Sequence, residues 1–299
     1  MNWSFARDTQ VIVQGIDEPE VSDRVLALKA YGTNIVAGVS YDNNQSAKDE
    51  IPVYQLVEKA ISECGQAEIS LIFVPPYQVL DAGREAIAAG VRYLIIFTTG
   101  IPPLDTISLL KWAKTNNTSI LGPGSHGFVI PEQVWMGTLQ PQFYQAGKVG
   151  LIGNSPYLSY EVAWELNQAQ LGQSIVVCLG EDKILGSSLS QWLSILSDDA
   201  NTEAIVLVGR TLYETEEVID FYERSAAKKP LIIYLAGLQA PQEKLFRNAV
   251  TIITNHLSSS IPVVNTNHQD LDRLKQAGIK IAGKPCEIPL LIEKSLKSK

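Results

Sequence analysis

The sequence predicts an α/β protein made of two doubly wound domains with mainly parallel sheets. Three observations carry this expectation. Short β-branched apolar runs alternate with longer amphipathic stretches, as repeated βαβ units require. The alternation lapses over Gln140–Lys148 and then restarts. The chain has 299 residues, enough for two full cores.

In the first half, strands are expected at Val11–Val13, Asn34–Val39, Ile69–Val74, Tyr93–Phe97 and Ser119–Leu121. Helices are expected between them, at Val21–Ala30, Tyr54–Ser62, Leu80–Ala89 and Ile107–Thr115. That density of strands suits a Rossmann domain. The second half repeats the pattern, with strands at Val149–Ile152, Ser174–Leu179, Ala204–Val208, Leu231–Tyr234 and Ile261–Val263. Its helices are expected at Leu158–Gln168, Ser188–Leu196, Glu216–Ala226, Pro241–Val250 and Leu271–Ala277. The boundary is drawn between residues 143 and 144.

Composition narrows the function classes. Net charge is −8 and the pI is near 5.0, which argues against a nucleic-acid or anionic-membrane surface. No run approaches a membrane span, and MNWSFARDTQ has no apolar stretch of signal-peptide length. Cys64, Cys178 and Cys286 lie far apart without a C-x-x-C pair, so no disulfide framework or zinc site is expected and the thiols suit a cytosol.

Three turns could carry chemistry. Gly15-Ile16-Asp17-Glu18-Pro19-Glu20 follows the first strand, where a nucleotide-binding domain places a glycine-rich phosphate loop. Only Gly15 is left of such a loop. Asp17 is expected to cap the next helix and Pro19 to sit in its first turn. The carboxylates would occupy the field a phosphate needs. Gly153-Asn154-Ser155-Pro156-Tyr157 follows the strand Val149–Ile152. It has the outline of a nucleophile elbow but ends in Tyr157, and Ser155 is expected as a helix N-cap with Pro156 after it. Gly122-Pro123-Gly124-Ser125-His126-Gly127 follows the fifth strand; His126 has no carboxylate or cysteine at ligand spacing and is expected to pack in its loop. His256 and His268 lack metal-ligand spacing, so no metal site is expected. Trp112, Trp164 and Trp192 are expected in core and interface packing.

Taken together, several segments resemble, in order, the α subunit of succinyl-CoA synthetase (succinate–CoA ligase). They are Gln14-Gly15, Tyr31-Gly32-Thr33 with Gly38-Val39, Ile51-Pro52-Val53-Tyr54, Phe73-Val74-Pro75 and Thr98-Thr99-Gly100-Ile101-Pro102. The series continues with Ile120-Leu121-Gly122-Pro123, Gly147-Lys148-Val149-Gly150, Ser159-Tyr160-Glu161, Thr202–Val206 and Tyr234–Gly237 through Ala240-Pro241. The resemblance implies a CoA-binding Rossmann domain followed by a flavodoxin-like ligase domain. It also implies a histidine in the second domain that relays phosphate between a nucleotide on the β subunit and the CoA site. Asn248 stands at that histidine's position, with Arg247 and Val250 where flanking glycines belong, and Arg210 replaces the glutamate that positions it. An amide cannot form the phosphoenzyme.

No catalytic residue is therefore assigned. Gly15, Val74, Pro75, Thr98, Gly100 and Ile101 are candidates for a CoA or nucleotide contact, and Ser155, Arg210 and Arg247 for an anion site. No cofactor is fixed; CoA or another nucleotide stays open. The expected function is a catalytically inactive α-subunit-like protein acting through partner or ligand binding, with a β-like ATP-grasp subunit or a second copy as the partner. An acid–CoA ligase with an altered phosphoryl relay and a nucleotide-sensing Rossmann protein are the alternatives.

Overall fold

The computed structural model describes residues 3, 7–41, 51–180, 182–210, 214–225, 229–236 and 268–297. The expected helix Pro241–Val250 and strand Ile261–Val263 lie outside these residues, as do Arg247, Asn248 and His256.

The first unit runs β1 (Val11–Gln14), α1 (Val21–Tyr31), β2 (Ile35–Val39), β3 (Val53–Tyr54), α2 (Val57–Cys64), β4 (Ile69–Ile72), α3 (Val79–Ala88), β5 (Tyr93–Ile96), α4 (Pro103–Thr115) and β6 (Ser119–Leu121). Its six strands are all parallel, in the order β3-β2-β1-β4-β5-β6. That is the Rossmann order, with its switch point between β1 and β4. β1 and β4 are buried along their whole length and are mostly apolar without alternation, apart from Gln14 and Ser70, which bond to each other. Gln14, fully buried in β1, is satisfied on both sides. Its Nε2 donates to the Ala82 carbonyl at 3.0 Å and its Oε1 accepts from Ser70 Oγ at 2.7 Å.

The second unit contains β9 (Ala146–Gly153), α5 (Pro156–Gln168), β10 (Gln173–Cys178), α6 (Leu189–Asp198), β11 (Ala204–Gly209), α7 (Thr215–Arg224), β12 (Leu231–Leu235), α8 (His268–Gln276), β13 (Lys280–Ala282) and α9 (Ile288–Lys297). Its parallel strands run β13-β12-β11-β9-β10, the flavodoxin order, with the switch point between β9 and β11. Ser188 caps α6 in a capping box with Gln191, as S-x-x-Q at a helix start dictates.

A hairpin absent from the sequence expectation completes this sheet. β7 (Gly127–Ile130) and β8 (Val134–Gly137) pair with each other, and β7 pairs antiparallel with β10. Both precede residue 143, yet they close the second sheet's edge. The chain thus passes from one sheet to the other within Gly122–Gly127. Ser125 is buried there; its hydroxyl donates to the Cys178 carbonyl at 2.5 Å and accepts from Gly127 N–H at 2.8 Å. Ser187 Oγ donating to the Ile120 carbonyl (2.6 Å) and Thr33 Oγ1 donating to the Trp135 carbonyl (2.6 Å) tie the two units further.

Three expectations need correction. α1 starts at Val21 as expected, but Asp17 does not cap it and Pro19 lies outside its first turn: its N-cap is Glu20, and no side chain caps it. The turn instead closes on itself through Glu18 N–H to the Gly15 carbonyl and Val21 N–H to the Pro19 carbonyl. Helix α5 begins at Pro156, and Ser155, although at its N-cap, makes no side-chain cap bond. Of the tryptophans, Trp192 is core, whereas Trp112 and Trp164 are 45% and 60% exposed.

Ser125→Ala removes the hydroxyl that joins the crossover to β10 and leaves the buried Gly127 N–H without that acceptor. A loss of about 1–3 kcal/mol in unfolding free energy is expected by urea titration, against no more than about 0.5 kcal/mol for Lys111→Ala on the exposed side of α4.

Candidate functional site

The carboxyl ends of both sheets face a shared cleft of about 350 Å³. Open α/β sheets bind their ligands at such ends. From the first unit, Phe73 and Phe97 follow β4 and β5 and stack face to face, centroids 4.2 Å apart and planes 7° from parallel. α1 contributes Glu20, Val21 and Arg24. From the second unit come Tyr157 and Tyr160 of α5, while the crossover supplies His126, whose Nδ1 is 2.7 Å from Thr138 Oγ1. Tyr160 Oη accepts the Gln140 N–H at 3.1 Å, and burial raises its pKa, so the phenol stays protonated at neutral pH.

A smaller cavity of about 120 Å³ opens at the β9/β11 switch point. The turn Gly153–Tyr157 separates the two spaces. Gly153 and Asn154 line the small cavity, and Pro156 and Tyr157 the large one. Asn154 Oδ1 is buried with no hydrogen-bond partner among the described residues. Asp182 and Glu214 also line the small cavity. Burial pushes the Glu214 carboxyl above its ordinary 4.5, the charge of Glu217 adds to the rise, and the Leu189 N–H bond opposes it. The wall is acceptor-rich.

The residues singled out in the sequence fall as follows. Gly15 has φ +81°, and a Cβ there would stand 2.9 Å from Val74 N, so only glycine allows β1's turn to approach β4's. Thr98 Oγ1 donates to the Val74 carbonyl at 2.6 Å, which joins the loops after β4 and β5. Pro75 leads into a 3₁₀ turn at Pro76–Gln78. Gly100 is exposed at φ +72°, while Ile101 is buried in the core. Ser155 is buried at the head of α5, and Arg210 is exposed just beyond β11. His126 is half-buried and faces the cleft rather than only packing in its loop. Phe97 escaped the sequence reading, because one aromatic residue at a strand's end carries no spacing signal.

Residues 6–100 match the model of a CoA binding domain, and residues 146–260 that of a succinyl-CoA ligase like flavodoxin domain. Succinate–CoA ligase [ADP-forming] subunit alpha 2 of Archaeoglobus fulgidus is 33% identical over 288 residues, spanning 96% of this chain and 97% of its own. The chain belongs to the succinate–CoA ligase α-subunit family. The Aquifex aeolicus subunit alpha is 32% identical over 293 residues, 97% of this chain and 93% of its own. Among solved structures, ATP citrate lyase from Methanothrix soehngenii in complex with citrate and coenzyme A superposes with a TM-score of 0.77 at 14% identity over 98% of this chain. The dinucleotide forming acetyl-coenzyme A synthetase 1 of Ca. Korarchaeum cryptofilum superposes with a TM-score of 0.70 at 19% identity over 92% of this chain. These two likenesses concern the fold, and the chain spans 50% and 58% of those longer chains.

Within this α-subunit frame, the turn after β1 does not fit the diphosphate of CoA. A phosphate seat needs backbone N–H groups aimed outward. Here Gly15 and Ile16 both donate to the Val39 carbonyl, Glu18 donates to Gly15, and Val21 to Glu18 and Pro19. The Ile16 side chain, 1% exposed, packs on Gly38, where a Cβ would meet it at 2.5 Å. Among the described residues, no three His, Cys, Asp or Glu side chains are grouped to hold a metal, and no helix is long and apolar enough to cross a membrane.

A raised Glu214 pKa means the folded chain holds a proton that the unfolded chain releases. Its stabilising contribution is complete below the unfolded pKa and is lost as pH rises from 4.5 through the folded value. Glu214→Gln keeps an acceptor for Leu189 N–H and removes the charge. Its melting temperature, relative to the parent protein, is expected to rise between pH 4.5 and pH 7, and parallel melting profiles would contradict this.

Proposed function

We propose that this chain is a non-catalytic α-type subunit of the succinate–CoA ligase family, acting by binding a partner or ligand rather than by relaying phosphate. The observation that carries this reading is Asn248 at the position where the resemblance puts the phosphohistidine. A carboxamide nitrogen is delocalised into its carbonyl and offers no lone pair comparable to an imidazole's for attack on a phosphoryl group. Arg210 in place of the positioning glutamate supports it, since a guanidinium cannot accept the N–H that would orient an imidazole. The acidic lining of the small cavity supports it too, because the carboxyl groups of Asp182 and Glu214 disfavour a transferring phosphoryl group.

The partner in this reading is a β-type ATP-grasp subunit, as the relatives' designation as alpha subunits suggests. Ser155, Arg210 and Arg247 remain its anion candidates. A sulfate titration that leaves the signals of Ser155 and its neighbours unmoved would remove them.

The protein, alone and with a co-purified β-type subunit, is incubated with γ-labelled ATP and then with succinate and CoA. The expected result is no acid-labile label on this chain and no CoA thioester above the level of the β subunit alone. Phosphate on this polypeptide, or thioester formation that depends on it, would establish the active ligase instead.

A further inference from the structure

Glu20 lies in the left-handed region, at φ 71° and ψ −17°. Glycine adopts this conformation freely, whereas a residue with a Cβ does so at a cost. The position is also the N-cap of the eleven-residue helix α1, the positive end of its dipole, at the edge of the interdomain cleft. The backbone here has the form of a glycine at an anion-binding turn, and the side chain carries the opposite charge to the one such a turn needs. Arg24, one helical turn further on, lines the same cleft and is the cation that a phosphate would seek. Glu20 lines the same cleft with a carboxylate, a charge of the sign a phosphate carries.

We propose that Glu20 sets the ligand class of the cleft. Ligands carrying a diphosphate ester are rejected, and phosphate-free ligands that rest on the Phe73–Phe97 pair are admitted. The bonded amides of Gly15, Ile16, Glu18 and Val21 and the Ile16 side chain over Gly38 narrow the seat, and Glu20 adds repulsion where it would lie. This inference is independent of the phosphoryl relay. A phosphorylated chain would overturn the non-catalytic reading and leave this one standing.

Pantetheine and CoA separate the two halves of the claim, because they share an apolar arm and differ by the nucleotide and its phosphates. Calorimetric titration of the full chain is expected to show pantetheine bound at least as tightly as CoA. In Glu20→Gly, CoA affinity is expected to rise about tenfold or more as the like charge is removed, with pantetheine unchanged. Glu20→Gln, which removes the charge and keeps the left-handed side-chain-bearing residue, is expected to give part of that gain. CoA binding the unaltered protein more than about tenfold tighter than pantetheine, CoA affinity unchanged in both variants, or no pantetheine binding by any form would each overturn the proposal.

Discussion

The crossover Gly122–Gly127 holds the molecule in one piece. The chain leaves the edge of the first sheet at Leu121 and is already paired in the second sheet at Gly127. In between, a single buried hydroxyl serves two backbone partners, as donor to Cys178 and acceptor from Gly127. A buried polar group with both capacities filled resists rearrangement, since any shift would strand a donor or an acceptor. Gly186 N–H donating to the Gly122 carbonyl at 2.8 Å holds the segment from the other side. The two carboxyl ends are therefore held facing each other, and the cleft is a consequence of that clamp.

The clamp lets cleft-facing residues vary without moving the scaffold. The loops that meet in the cleft are positioned by their strands and by bonds such as Thr98 to Val74, none of which depends on ligand-facing side chains. The turn after β1 can thus carry Asp17, Glu18 and Glu20 and still deliver α1 to its packing site, where Val21, Val25 and Leu28 are buried. The turn after β9 is retained in outline, with Ser155 heading α5, while the cavity beside it is lined by Asp182 and Glu214. Fold and site chemistry can vary separately because separate residues carry them.

Legibility followed the range of the interactions. Helix α6 could be read from Ser188 and Gln191 because a capping box is complete within four residues. The hairpin β7–β8 could not. Its strands are four residues each, and the partner that makes them a sheet edge, β10, lies some fifty residues further along the chain. Strand β13 and helix α9 also went unread: Lys280–Ala282 is a strand only because β12 lies beside it. The start of α1 at Val21 was legible but its cap was not: Asp17 and Pro19 are good starting residues by propensity, whereas the backbone bonds of the Gly15 turn hold them outside the helix.

The site divides the same way. By itself the sequence determined the family, the two doubly wound units and the acidic turn after β1. Each of these is a matter of residue identity or local periodicity. Only the tertiary structure decided that Phe73 and Phe97 stack, that His126 turns to the same cleft, that Glu20 takes a glycine's conformation, and that Asn154 Oδ1 is buried without a partner among the described residues. These features depend on which distant segments the sheets bring together, and strand order and crossover geometry appear in no short window of the chain.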